Sequence, residues 1–119
     1  MELTEHIAQF LRDNDFDGAT SGMMPPEPDR VATVYATGLR GRRDEDGSRF
    51  QIIVRGLPGI DTALADAIKI IDLLEDYQGI TSVDSPYFSR IKLESGATAL
   101  GTDANGRLSY SINFRAWYC

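Results

Sequence analysis

The sequence predicts an α+β domain: a two-layer sandwich in which a four-stranded sheet, mixed or antiparallel, is covered on one face by two helices. Three observations predict it. Two stretches, residues 2–12 and 61–79, carry apolar residues at helical spacing. Four others, near 31–37, 49–56, 88–94 and 108–117, are rich in β-branched and aromatic residues or alternate apolar with polar. The order is α-β-β-α-β-β, so two hairpins are joined by one helix and both helices fall on the same face of the sheet.

In the first helix Leu3, Ile7, Phe10 and Leu11 form one stripe, and "DNDFDG" ends it with Gly18 as the stop. A loop stiffened by Pro25, Pro26 and Pro28 follows, each ring fixing its own φ and pushing the preceding residue towards extended geometry. "VATVYAT" is the first strand. "GLRGRRDEDGS" is a charged, glycine-punctuated hairpin tip, and "RFQIIVRG" is a second strand whose apolar run implies burial on both faces. Asp61 caps the second helix and Gly79 ends it. Its stripe is Ala63, Leu64, Ala67, Ile68, Ile71, Leu74 and Tyr77, with Asp66, Lys69, Asp72, Glu75 and Asp76 in water. The third strand sets Ile91 and Leu93 against Arg90, Lys92 and Glu94. In the last, Leu108, Tyr110, Ile112, Phe114 and Ala116 face one way and Ser109, Ser111, Asn113, Arg115 and Trp117 the other, after an Asn105-Gly106 turn.

The 119 residues suffice for one domain (1–119) with a modest core. No apolar run approaches the ~20 residues that span a bilayer, and the acidic, amphipathic start does not read as a signal peptide. Cys119 is the single cysteine, so no internal disulfide forms and a reducing cytoplasm is the expected compartment. The net charge of −6 is uneven: seven of the 18 acids but one of the 12 bases lie in residues 1–29. Such a chain is a poor reader of nucleic acid, whose affinity rests on neutralising phosphates. A surface past which DNA slides without sticking is compatible with it.

The sharpest motif is Asp13, Asp15, Asp17 and Gly18, the opening of an EF-hand loop. Met24 stands where the bidentate Glu belongs and prolines where the exiting helix would start, so a solvated acidic turn is the plainer reading and no metal or cofactor is expected. "VRGLPGID" lacks the P-loop Lys and reads as a simple strand-to-helix turn. His6, the one histidine, reads as a surface residue, and Cys119 has no evident activating partner. Asp44, Glu45 and Asp46 interleave with Arg42, Arg43 and Arg49 in a self-neutralising loop. The sequence presents no catalytic constellation, and no enzyme is expected. Arg40, Arg42 and Arg43 are candidate donors to a neighbouring subunit, and Trp117 and Tyr118 are candidate interface anchors.

The segments "MPPEPDRVATVYATG", "FQIIVRG" followed by a helix ending "IIDLLEDYQG", and "LGTDANGRLSYSINFRAWY" together resemble a family of phage proteins described as minor capsid or tail-terminator proteins. The resemblance covers residues 23–118. It implies a virion structural protein at the head-tail junction, assembled in the host cytoplasm. The implied form is a homo-oligomeric ring, typically of six subunits, that caps the tail tube and meets the head connector or stopper while DNA passes through unbound. In such a ring Glu27 and Asp29 are expected to line an acidic lumen or a docking face. A second reading, a monomeric calcium- or ligand-binding α+β module, stays open at this point, as does a neck or stopper role.

Overall fold

The computed structural model describes residues 3–37, 48–75, 79–80 and 87–118, the side chains of 79–80, 87–89 and 118 excepted. Helix α1 spans Leu3–Arg12 and buries Ile7 and Leu11 of the predicted stripe, together with Thr4, His6 and Ala8, while Leu3 and Phe10 of that stripe are partly buried against the same core. It ends at Arg12, as expected, but the turn that follows differs from the expected one. Asp15, not Gly18, takes the left-handed conformation at φ 76°, which a short polar side chain tolerates, and the Phe16 amide closes back on the Leu11 carbonyl.

The α+β class is as predicted, but the sheet is larger than four strands. Among the described residues it has six, in the order β1-β2-β3-β6-β5-β4. The four long ones are β2 (Val31–Thr37), β3 (Ser48–Pro58), β5 (Tyr87–Thr102) and β6 (Arg107–Tyr118). Two-residue strands β1 (Thr20–Ser21) and β4 (Gly79–Ile80) lie at the edges. The sheet is mixed: β1 runs parallel to β2 and every other pair is antiparallel. Strand β5 is far longer than residues 88–94, because β6 continues to pair with its glycine-containing second half through several register shifts.

Cross-strand rows explain the core. Val34, Ile52 and Ile112 are neighbours across β2, β3 and β6, as are Ala36, Phe50 and Phe114. The two rings stack at 5.3 Å. Apart from Ala36, which is exposed, these residues share one cluster with Ile7 and Leu11 of α1 and with Ala63, Ala67, Ile70 and Leu74 of the second helix, so both helices cover one face.

Helix α2 spans Ala63–Leu74 and is rotated from the expected orientation. Asp66, expected in water, is buried, while Leu64 and Ile68, expected in the core, are exposed, Ile68 at 51%. The cause is a bidentate pair in which Arg30 donates to Asp66 at 2.7 and 2.9 Å, which draws that side of the helix inward. Close approach is possible because Gly56 lies under the helix start: a Cβ there would stand 2.6 Å from Thr62 Oγ1 and 2.8 Å from the Ala63 nitrogen. Asp61 caps as predicted, its Oδ1 accepting from the Leu64 amide at 3.2 Å. The helix ends at Glu75, whose amide bonds the Ile71 carbonyl, so Gly79 is not its terminator but the start of β4; Tyr77 and Asp76 lie outside the described residues.

Candidate functional site

The proline segment is a fixed part of the fold, held on the sheet face opposite the helices by two buried arginines. Odd-numbered β3 residues and odd-numbered β6 residues point to that face. Arg55 is 5% exposed and Arg107 is 7% exposed. Arg55 donates Nε to the Asp29 carbonyl at 2.9 Å and its terminal nitrogen to the carbonyls of Pro25 at 2.9 Å and Pro28 at 2.7 Å. Arg107 donates to the Pro26 carbonyl at 2.8 Å and to the Asp29 carboxylate at 3.1 Å. Proline cannot donate, so its carbonyls are what the segment offers, and a guanidinium fork meets several of them at once. The Glu27–Pro28 peptide is cis.

The two cations are held differently. Burial pushes the Arg55 guanidinium below its ordinary value, reinforced by the nearby positive charge of Arg107. Burial works against Arg107 as well, but hydrogen bonds to Asp103 and Asp29 more than offset it and hold that group above its ordinary value. Asp103 sits in the β5–β6 turn, where its carboxylate accepts from the backbone amides of Arg107 and Asn105 and from the Arg107 side chain; these bonds lower its pKa, the Arg107 amide contributing most. The expected Asn105-Gly106 turn, with Gly106 at φ 79°, thus also orients the second clasping arginine.

The other candidate residues are dispersed. Glu27 is exposed on the clasped segment, whereas Asp29 is half-buried as a partner of Arg107. Asp13, Asp15 and Asp17 are exposed on the turn after α1, with Asp13 accepting from the Gln9 amide at 2.9 Å. No group of three or more His, Cys, Asp or Glu residues able to hold a metal occurs among the described residues. His6 is a correction: it is 1% exposed, at the side of α1 that meets the core, and not a surface residue. Trp117 is half-buried, with the guanidinium carbons of Arg90 and Arg115 at 5.9 and 6.0 Å from its ring. Arg40, Arg42 and Arg43, the side chain of Tyr118, and Cys119 lie outside the described residues.

Sequence reasoning missed Arg55 and Arg107. Their acceptors are backbone carbonyls 26 to 81 positions away, and nothing local marks such pairs. A cavity of about 20 Å³, lined by Phe16, Ala19, Arg30 and Asp66 among others, has room for about one water and no substrate.

Among the described residues, the buried arginines organise the proline segment and not this cavity. The family model for bacteriophage tail terminator protein matches residues 10–118. The chain belongs to that family. Its role is accordingly structural, in the head-tail part of a phage. The resemblance drawn from the three sequence segments is thereby borne out. A solved chain of a virion of a native gene transfer agent particle is 20% identical, with a TM-score of 0.70, over 98% of this chain and 93% of that one, a likeness that shows the fold. A second solved chain is 14% identical, with a TM-score of 0.46, over 97% of this chain and 96% of its own. No curated protein matches.

Proposed function

We propose that this tail terminator works without catalysis, as a ring of like subunits in the virion. The ring is most simply of six and caps the head-proximal end of the tail tube, presenting a surface to the head connector or stopper. Family membership over residues 10–118 carries this reading. The arginine clasp supports it physically: a segment already fixed by Pro25, Pro26, Pro28 and five side-chain hydrogen bonds has little freedom left to lose on assembly. In the ring, exposed Glu27 faces the lumen or the docking surface, and its charge weakens adhesion of passing DNA. Assembly takes place in the host cytoplasm. The calcium-module reading has no comparable support, since Asp13, Asp15 and Asp17 do not join a metal-competent group among the described residues.

Native mass spectrometry across a concentration series, with and without purified tail tubes, tests the proposal. A closed ring, free or seated on one tube end, is expected. A chain that stays monomeric and leaves tube ends uncapped refutes it. Glu27→Lys then probes the lumen without touching the clasp, and is expected to impair joining or ejection; unchanged phage titre would count against an acidic lumen.

A further inference from the structure

We propose that the open edge of β5 and the flank of α2 bearing Leu64 and Ile68 together dock an extended segment of a different protein. That segment carries apolar residues alternating with Lys or Arg. The proposal rests on the reading above and names a surface through which the ring meets its neighbours in the virion.

The apolar ledge follows from how α2 is turned. Residues two apart on a helix lie about 200° apart, so Leu64 and Ile68 stand roughly opposite Asp66, which Arg30 holds towards the start of β2. They therefore face the β5 side of the sheet, against which α2 also packs. Leu100 joins them at that side. Its neighbours Ala99 and Gly101 pair with Tyr110 and Ser109, and the Tyr110 hydroxyl donates to Asp61, at the start of α2, at 3.0 Å. With Ile60, four of the six large apolar side chains exposed among the described residues thus lie at this end of the sheet, a concentration that marks a contact surface.

Beside the ledge the sheet is unfinished. Strand β4 pairs with Tyr87 and Phe88 alone, and among the described residues no strand pairs with the outer side of β5 beyond them. Residues 95–102, "SGATALGT", are exposed apart from half-buried Ala97. They carry neither charge nor proline, the side chains that commonly guard a strand edge. A row of free backbone donors and acceptors is met by an extended chain, and side-chain pockets beside the row then select its sequence.

Charge selects the partner. Asp61, Asp72 and Glu75 are exposed around the ledge, and no cation pairs with them among the described residues. Lys69, the one base on α2, lies over the same Phe16 ring as Arg30 and so on the opposite flank. The bases outside the described residues, Arg40, Arg42 and Arg43, belong to the segment between Thr37 and Ser48. Ser48 pairs with Ala116 and Thr102 with Leu108, a separation of roughly 27 Å along β6. Cations on the partner therefore answer the ledge carboxylates. A second copy docked through the same surface would set carboxylate against carboxylate, and its β5, bent by the same register shifts, would not pair evenly with this one. Nucleic acid meets the same repulsion.

The test uses the full chain with purified tail tubes and, separately, with DNA-filled heads, read by hydrogen exchange and by sedimentation. Docking to one of the two is expected to slow amide exchange about tenfold or more at residues 95–102. Leu64→Lys with Ile68→Lys, both at exposed positions, should weaken that binding about tenfold or more and leave ring formation and Tm unchanged. Asp72→Lys with Glu75→Lys should weaken it less and flatten its salt dependence. Docking that survives the ledge variant, or that leaves exchange at residues 95–102 unchanged, overturns this contact and spares the ring. A ledge variant that folds but no longer forms the ring means that a second copy covers the surface, which overturns the choice of partner. Should the ledge variant lose Tm, the Asp72 and Glu75 variant decides alone, and unchanged binding at low salt overturns the proposal. A wild type that forms no ring and binds neither tubes nor heads sinks the reading above as well.

Discussion

Replacing Arg55 by Met should release the proline segment while leaving the sheet intact. Met keeps the apolar stem that lies against the sheet but removes the fork that bonds the carbonyls of Pro25, Pro28 and Asp29. Hydrogen bonds from a charged donor contribute about 1.5–3 kcal/mol each. Against their sum stands the burial of a cation all of whose hydrogen bonds go to carbonyls, a desolvation cost of several kcal/mol. The lowered pKa of Arg55, caused first by burial, has the sign this opposition requires. The net loss is therefore about 2–3 kcal/mol, well short of three full bonds. For a domain of this size that lowers Tm by roughly 10 °C. Urea unfolding measures the stability, and amide exchange at Glu27, Asp29 and Arg30 measures the segment directly. Met at position 55 with stability within about 0.5 kcal/mol of wild type, and with protection of those amides unchanged, would refute the clasp. If the stability falls but the protection stays, Arg55 supports the sheet and not the segment.

Two further outcomes follow from the geometry. Gly56→Ala places a methyl against Thr62 Oγ1 and the Ala63 nitrogen at under 3.0 Å, so α2 must shift, at a cost of about 1–3 kcal/mol in urea unfolding; a neutral result would mean the helix start yields freely. Glu5 accepts from Ser21 and pairs with Arg12, and these contacts, the Ser21 bond first, hold its pKa below the ordinary 4.5. The unfolded chain then takes up the proton first, so the stability Glu5 contributes is present above that value and is lost as pH falls through the lower folded-state pKa. Glu5→Gln should flatten the acid limb of a stability–pH curve; an unchanged limb would show that other carboxylates set it.

Much of this protein was determined by local pattern. Alternation in β6 assigned Ile112, Phe114 and Ala116 to the core without reference to any partner, because a pleated strand sends neighbours to opposite faces. Stripe spacing did the same for α1, and three quoted segments sufficed to indicate the family. Some features were decided only when the chain closed. An apolar stripe on α2 fits more than one rotation, and the choice fell to the Arg30–Asp66 pair, 36 positions apart. The second half of β5 has weak strand propensity and became strand because β6 lay beside it. Arg55 and Arg107 look like any surface cations until the sheet sets them under the proline carbonyls. Pattern along a chain reports what neighbours in sequence can do together. Burial of a charge against backbone carbonyls is settled by neighbours in space, and only tertiary structure supplies those.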